Sequence, residues 1–225
     1  MLVEFEGVRL ERGEQCILRD VSLRLSESRI GIVGPNGAGK SSFARLLNGL
    51  LKPQRGRVLF QGVDVQSDLR KIRKQIGFLF QNPDNQLVFP IVREDMDFGL
   101  KAHIPDKTLR QTRIDETLAR LGIDQLADRV VHTLSGGQKQ LVALATVLSV
   151  EPAMLVLDEP TTQLDLRYRN RLVALLQTIT QPAIVLTHDL PMLETFDRVL
   201  VIADGGVVRD GPPADVLTWY QQHYG

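Results

Sequence analysis

The hydrophobic positions along the chain form short apolar runs separated by segments with helical spacing. Val21, Leu23 and Leu25 alternate with polar residues, which predicts a strand. Short apolar runs predict buried strands at 30–33, 58–60, 76–80, 154–157, 183–186 and 199–202. Helical spacing predicts a helix from residue 40 and others at about 166–179, 190–196 and 214–222. Strands that alternate with helices favour an α/β fold with a largely parallel sheet.

The segment from residue 82 to about 150 has a different pattern. Ile114, Leu118 and Leu121 lie at helical spacing, and Gly122 follows where a helix would end. Because this mostly helical segment separates two strand-rich halves, we interpret it as an inserted lobe. The predicted organisation is a core of residues 1–81 and 151–225 with a helical subdomain at 82–150.

A glycine-rich loop follows the predicted strand 30–33 and opens a helix. It fits the phosphate-binding pattern G-x-x-x-x-G-K-[ST] with Gly34, Pro35, Asn36, Gly37, Ala38, Gly39, Lys40 and Ser41. Glycines let the backbone approach a phosphate, and backbone N–H groups at a helix N-terminus attract an anion. We expect Lys40 to contact the β- and γ-phosphates and Ser41 to coordinate Mg²⁺, with Ser42 also in the nucleotide site.

Two acids, Asp158 and Glu159, follow the apolar run 154–157. Solvated acids at the end of a strand are common, so this feature alone is weak. Downstream of a phosphate-binding loop it becomes informative, because such proteins hold Mg²⁺ with an acid at the end of a strand. We predict that Asp158 binds Mg²⁺ and that Glu159 polarises the attacking water as a general base.

A serine and two glycines precede the apolar helix that contains Leu141–Val150. The sequence is Leu134, Ser135, Gly136, Gly137 and Gln138. This combination at the start of a helix predicts a second phosphate-facing surface. The alternative is an ordinary capped helix, since serine is common before a helix.

These motifs together resemble the ABC ATPases over nearly the whole chain: the P-loop at 34–41, the LSGGQ signature at 134–138 and the Walker B strand at 154–159. The resemblance implies a P-loop NTPase fold, with an N-terminal antiparallel β-subdomain beside the mostly parallel core sheet. It implies hydrolysis of ATP with Mg²⁺. It also implies pairing with a second ABC ATPase, either a copy of this chain or a paralogue, so that each signature acts on the partner's nucleotide.

Three further residues take their expected roles from the resemblance. Gln81 matches the Q-loop glutamine, which is implied to contact Mg²⁺ and the attacking water. Asp165 matches the D-loop aspartate. His188 matches the switch histidine that contacts the γ-phosphate, although a histidine taken alone is more often an ordinary surface or core residue.

Two positions depart from the family pattern. The family usually places an aromatic residue against adenine, and the matching position here falls near Glu11 and Arg12. Arg12 can stack on adenine through its planar guanidinium, and a solvated arginine is the alternative, so acceptance of GTP stays open. Gln163 stands in the D-loop segment where a small residue is common.

The segments 81–86 and 92–100 resemble the ATPases of energy-coupling factor (ECF) transporters of the cobalt, nickel and biotin type. In that class, a groove after the Q-loop holds a coupling helix of a membrane subunit. Asp84 and Glu94 are candidate partners for basic residues there, or simply solvated acids. The short C-terminal part of the chain resembles that of the biotin-type ATPases. We therefore expect an importer subunit bound peripherally, through integral membrane subunits, at the cytoplasmic face of the membrane.

The composition of the chain bears on its possible partners and on the cellular compartment. The 27 basic and 27 acidic residues give a net charge of +0, which does not favour nucleic acid as a partner. The single Cys16 cannot form an internal disulfide, which suits a reducing compartment. We expect no signal peptide and no membrane span, since a span needs about 20 apolar residues. An exporter ATPase, or a non-transport ABC ATPase acting on DNA or ribosomes, remains as an alternative function.

Overall fold

The computed structural model describes residues 2–13, 15–162 and 164–225, which form two compact units. The first unit contains the residues up to Phe78 together with Ala153–Glu159 and Gln181–Gly225. The second contains Leu79–Pro152 and Pro160–Thr180. The sequence-based division placed the segment 160–180 with the core, and that division stays a prediction.

The first unit begins with an antiparallel sheet of four strands in the order β2-β1-β4-β5. The strands are β1 (Val3–Arg12), β2 (Gln15–Leu25), β4 (Arg55–Phe60) and β5 (Val63–Asp64). Val3 and Phe5 are buried, and the Phe5 ring stacks on Phe43 with ring centroids 4.3 Å apart. Alternating burial of this kind is typical of an antiparallel sheet with one face on a core.

A second sheet in this unit has the order β10-β9-β3-β8-β7-β6. Its strands are β3 (Arg29–Val33), β6 (Ile76–Leu79), β7 (Met154–Asp158), β8 (Ala183–Leu186), β9 (Arg198–Ala203) and β10 (Gly206–Gly211). The pairs β9–β3, β3–β8 and β8–β7 are parallel, and β10 runs antiparallel to β9. The helices of the unit are α1 (Lys40–Leu47), α2 (Leu69–Gln75), α7 (Leu190–Leu193) and α8 (Pro213–Tyr224).

The second unit is mainly helical. Its helices are α3 (Val92–Leu100), α4 (Lys107–Arg120), α5 (Gly136–Ser149) and α6 (Leu166–Thr178). Helix α5 packs against α3, α4 and α6, which explains why most of its residues are buried. Across the three described ranges, no helix combines the length and the apolar character needed to cross a membrane.

The structure confirms the predicted fold class: an antiparallel sheet and a mostly parallel sheet with helices. Helix α7 is shorter than predicted, because the backbone after Leu193 continues as turns whose N–H groups bond three residues back. Helix α8 is longer, and it starts at Pro213, where a missing N–H costs nothing. Helix α2 and the antiparallel strand β10 were not predicted.

A mostly buried ion pair in the second unit makes its stability depend on pH. Arg110 Nε lies 2.7 Å from Asp97 Oδ1, with side chains 8% and 16% exposed. The hydrogen bond from Arg110 holds the pKa of Asp97 below its usual value, against the opposing effect of burial. A depressed pKa gives stability that is present above the unfolded-state pKa and is lost as the pH falls through the folded-state pKa.

We therefore expect Asp97→Asn to reduce the loss of unfolding free energy on acidification from pH about 5 to about 3. Urea unfolding at several pH values measures this. Asp128→Asn removes a largely exposed acid of the same unit and controls for the charge change. The same acid-induced loss in Asp97→Asn as in the native chain would contradict the expectation.

Candidate functional site

The glycines of the loop 34–41 are required by its backbone shape. Gly34, Gly37 and Gly39 have φ values of 154°, 80° and 97°, which residues with a side chain rarely adopt. A Cβ on Gly34 would lie 2.0 Å from the carbonyl oxygen of Ile202. No other residue fits at this position, so the close approach of loop and strand β9 depends on glycine.

Lys40, the first residue of α1, points its ammonium group back into this loop. Its side chain is buried, and Nζ donates hydrogen bonds to the carbonyl oxygens of Gly34 (2.7 Å) and Pro35 (3.2 Å). Burial lowers the pKa of Lys40, and the nearby carboxylates of Glu159 and Asp158 oppose that shift. The loop therefore holds a positive group beside the N-terminus of a helix, which suits a phosphate.

Ser41 and Asp158 meet across adjoining elements of the first unit. Asp158 ends strand β7 and is 3% exposed, and Ser41 Oγ donates a hydrogen bond of 3.0 Å to its Oδ1. Burial raises the pKa of Asp158, and the Ser41 hydrogen bond opposes this effect. A hydroxyl and a carboxylate are hard oxygen donors of the kind that Mg²⁺ takes.

This donor pair fits Mg²⁺ held together with a nucleotide. In the described part of the chain, no group of three or more acids, histidines or cysteines could hold a metal ion by itself. Mg²⁺ usually binds through one or two protein oxygens, substrate phosphates and water, without a cage of protein ligands. The pair Ser41–Asp158 beside a phosphate-binding loop matches that requirement.

Glu159 follows Asp158 in a left-handed backbone conformation, with φ 51°. Its side chain is 9% exposed, and its Oε2 accepts the His188 N–H at 3.3 Å. Burial raises the pKa of Glu159, and the positive potential of His188 opposes the shift. Strained backbone at a buried carboxylate is common at functional sites, and a raised pKa is a frequent property of catalytic acids and bases.

The His188 ring makes two contacts through the same atom. Nε2 lies 3.1 Å from Glu159 Oε1 and 3.3 Å from Lys40 Nζ. A protonated Nε2 can donate to Glu159, whereas an unprotonated Nε2 can accept from Lys40, so only one of the contacts is a hydrogen bond at a time. Proton placement on His188 therefore decides which neighbour it holds.

Strand order explains why these residues meet. Loop 34–41 follows β3, Asp158 ends β7 and His188 lies just after β8, and β3, β8 and β7 are neighbouring parallel strands. Their carboxyl ends share one edge of the sheet, where α/β proteins bind ligands. The structure thus brings together the P-loop, Asp158, Glu159 and His188.

The remaining predicted site residues belong to other segments of the chain. Arg12 is exposed at the end of β1, opposite Gln15. Gln81, the signature residues 135–138 and Asp165 all belong to the second unit. Gln163 lies outside the described residues. The roles expected for these positions stay predictions.

Within the second unit, the signature serine and the D-loop aspartate cap helices. Ser135 and Gln138 form a capping box at the start of α5, with reciprocal side chain–backbone hydrogen bonds of 3.0 and 3.3 Å. Asp165 caps α6 by accepting the Tyr168 N–H at 2.9 Å. A Cβ on Gly137 would lie 2.6 Å from the Tyr168 ring. These contacts explain, without a bound ligand, why serine, glycine and aspartate stand at these positions. For Ser135 this is the capping alternative given above.

One contact with the P-loop was missed from the sequence. A Cβ on Gly39 would lie 2.9 Å from Ile17 Cγ2, so Ile17 of strand β2 lies against the loop. In the sequence, only its apolar side chain marks Ile17. The strand that contains it was predicted from residues 21–25 alone. The pairing of the two elements is a long-range contact that periodicity does not report.

Comparison with known proteins agrees with this geometry. The ABC transporter family matches residues 18–162. A protein of Deinococcus radiodurans, named only as an ABC transporter ATP-binding protein, is 48% identical over 98% of both chains. The biotin transport ATP-binding protein BioM of Rhizobium etli is 42% identical over 99% of both. The solved structure of cbiO1 from Clostridium perfringens, part of the ABC transporter complex cbiONQ, is 32% identical, has a TM-score of 0.85 and aligns over 99% of this chain and 95% of its own.

The chain belongs to the ABC transporter ATP-binding family. It is an ATPase, and proteins of this family bind ATP as subunits of transporters.

Proposed function

We propose that this chain is the ATP-hydrolysing subunit of an ECF-type importer that takes up a vitamin or a metal ion, namely biotin, cobalt or nickel. The observation that carries the proposal is the 42% identity to the biotin transport protein BioM over 99% of both chains. The likeness to cbiO1, part of the ABC transporter complex cbiONQ, also supports a role as a transporter subunit. The exporter and non-transport alternatives are outcomes of the test below.

At the nucleotide site, each described side chain has one proposed task. Lys40 binds the β- and γ-phosphates of ATP, and the backbone N–H groups of the P-loop cradle them. Ser41 and Asp158 hold Mg²⁺, which neutralises charge on the phosphates when it is bound. Hydrolysis therefore depends on positioning and electrostatics more than on covalent chemistry.

Glu159 and His188 supply the proton chemistry. Glu159 orients the attacking water and accepts its proton, for which a buried carboxylate with a raised pKa is suited. His188 contacts the γ-phosphate and, when its Nε2 is protonated, donates to Glu159 Oε1. Because Lys40 competes for the same Nε2, binding of phosphate to Lys40 would leave His188 free to engage Glu159.

The second unit supplies the proposed partner contacts. The signature residues 135–138 and Asp165 act on the nucleotide of a second ABC ATPase, and Gln81 contacts Mg²⁺ and water. In the capping box, Ser135 Oγ and Gln138 Oε1 only accept hydrogen bonds, so the Ser135 hydroxyl and the Gln138 amide NH₂ can still donate to a phosphate. A family dimer, homomeric or with a paralogue, is therefore part of the proposal.

A groove in the second unit is the proposed seat of a coupling helix from a membrane subunit. The cavity has a volume of about 390 Å³ and is lined by Phe89, Arg93, Glu94, Asp97, Lys101, Lys107 and Gln111. Glu94 is exposed and available to a basic residue of the partner. Asp84 already forms an ion pair with Lys139, with Oδ1 2.6 Å from Nζ, which makes it the weaker candidate.

Phe98 offers a direct test of this docking site. Its side chain is 55% exposed, and its ring lies 4.9 Å from that of Phe89, which lines the groove. We expect Phe98→Arg to reduce co-purification of membrane subunits roughly tenfold, because burying an unpaired charge at an interface costs well over the ~1.4 kcal/mol that a factor of ten represents. Basal ATPase activity should not change.

The measurement is a pull-down of the tagged chain from detergent-solubilised native membranes, with mass spectrometry of the bound proteins. Leu109→Arg, at an exposed leucine of α4 outside the groove lining, is the matched control. Recovery of a small transmembrane subunit with a substrate-binding membrane protein supports the importer. Recovery of an exporter-type membrane protein, or of none, would refute it and leave only the family membership.

A further inference from the structure

A buried threonine, to which the proposed mechanism gives no role, follows strand β8. The four residues of β8 are apolar and buried, and Thr187 comes directly after them and is 0% exposed. Valine would fill nearly the same space there without burying a hydroxyl, and a buried polar group is unfavourable unless it forms a hydrogen bond. The hydroxyl of Thr187 therefore needs a reason in the structure.

The Thr187 hydroxyl closes a turn of the backbone around His188. Its Oγ1 accepts a hydrogen bond of 3.0 Å from the Asp189 N–H. A threonine that binds the N–H two residues later stabilises a turn, and His188 is the central residue of this one. The Leu190 N–H also donates to the His188 carbonyl oxygen at 3.1 Å. Local hydrogen bonds therefore fix the backbone on the C-terminal side of His188.

Main-chain hydrogen bonds attach the start of this turn to the two neighbouring strands. The Thr187 N–H donates to the carbonyl oxygen of Ile32 in β3 at 3.1 Å. The N–H of Glu159, just after β7, donates to the carbonyl oxygen of Leu186 at 2.8 Å. Both bonds lie immediately before His188. The sheet thus sets where the His188 residue begins, and the turn closed by Thr187 sets the direction in which its backbone continues.

The orientation of His188 matters because two of its groups face Glu159. Its main-chain N–H donates to Glu159 Oε2 at 3.3 Å, and its ring Nε2 lies 3.1 Å from Glu159 Oε1. The His188 side chain is 46% exposed, so packing contacts surround only part of it. We propose that Thr187 is a positioning residue whose hydroxyl sets the turn at His188 and so places His188 for Glu159 and the γ-phosphate. This inference rests on the roles proposed for His188 and Glu159.

Thr187→Val keeps the shape of the side chain and removes the acceptor. We expect kcat for ATP to fall about fivefold, which corresponds to the ~1 kcal/mol net contribution of one hydrogen bond. The Kd for MgADP should stay within about twofold, because ADP has no γ-phosphate for His188 to contact. Thr187→Ser retains the hydroxyl and should keep kcat within about twofold of the native value. Thr218→Val makes the same change at an exposed threonine of α8 and should alter neither constant.

The same substitution in a His188→Ala background tests whether the effect passes through the histidine. Changes that act through one side chain are not additive. Thr187→Val should therefore slow hydrolysis in the native chain, but by less than about twofold once residue 188 is alanine. Single-turnover hydrolysis with excess protein measures the rate in both backgrounds, even where steady-state turnover is slow.

Phosphate release gives kcat, titration gives the Kd for MgADP, and thermal unfolding shows whether each variant is folded. If Thr187→Val is not folded, Thr187→Ala also lacks the hydroxyl and has the same expected result. Native kcat in the variant without the hydroxyl, an equal fall in Thr187→Ser, or an equal fall in the His188→Ala background would each overturn the inference. Native turnover in His188→Ala alone would refute the proposed role of His188 and the inference with it. Failure of the native chain to bind ATP would instead refute the proposed function.

Discussion

Replacing Glu159 by glutamine should lower ATP turnover at least about 100-fold while MgATP still binds, since general-base catalysis contributes about 10²–10⁴. The amide keeps the size of the side chain and can still occupy the buried site beside His188, but it cannot accept a proton from water. The proposed binding residues Lys40, Ser41 and Asp158 are unchanged. The variant should therefore accumulate with ATP bound and, if two chains enclose the nucleotide, as a dimer.

Phosphate release measures the turnover, and size-exclusion chromatography with MgATP measures the dimer. Glu194→Gln, at an exposed glutamate of the same unit, is the matched control and should hydrolyse ATP at the native rate. Turnover near the native rate in Glu159→Gln would show that another group activates the water. In that case His188, the neighbour of Glu159, would be the next candidate.

Lys40→Ala should raise the Kd for MgATP roughly 10- to 100-fold. A hydrogen bond to a charged group contributes about 1.5–3 kcal/mol, and about 1.4 kcal/mol corresponds to a factor of ten. The same ammonium group also bridges the carbonyl oxygens of Gly34 and Pro35. Loss of that bridge should loosen the loop, so turnover should fall at saturating ATP as well.

Nucleotide titration measures the affinity, and thermal unfolding distinguishes a local loss from a general one. Lys52→Ala removes an exposed lysine from the same unit and should leave both affinity and activity unchanged. If Lys40→Ala bound MgATP as tightly as Lys52→Ala does, Lys40 would have no role in phosphate binding. Comparison of Lys40→Ala with Lys52→Ala separates the effect of the Lys40 ammonium group from the effect of losing any one positive charge.

The local residue pattern was sufficient to predict those elements that a few adjacent residues identify. The apolar runs 30–33, 154–157 and 183–186 are strands in the structure, because a strand buried on both faces has to be apolar throughout. The loop 34–41 was recognisable because its backbone needs glycine and its chemistry needs lysine and serine at fixed spacing. Helix α2 carried little signal, since only Ile72 in it is buried.

Other features depended on partners far away in sequence. Asp84 was a candidate partner for a basic residue of a membrane subunit, with a solvated acid as the alternative, and the structure pairs it with Lys139, 55 residues later. For Ser135, the sequence predicted a phosphate-facing role and left helix capping as the alternative, and the structure shows the cap. Tyr220 had no motif at all, and its burial depends on the packing of α8 against β9 and β10.

The sequence by itself determined the chemistry available to this protein: a glycine-rich loop with Lys40 and Ser41, two acids after a buried strand, and His188 after another. Those features are local, since each depends on a few adjacent residues. Only the tertiary structure decided that they meet, because the order β3-β8-β7 places the three carboxyl ends at one edge of the sheet. Strand order and helix packing arise from contacts between distant segments, which no local periodicity encodes.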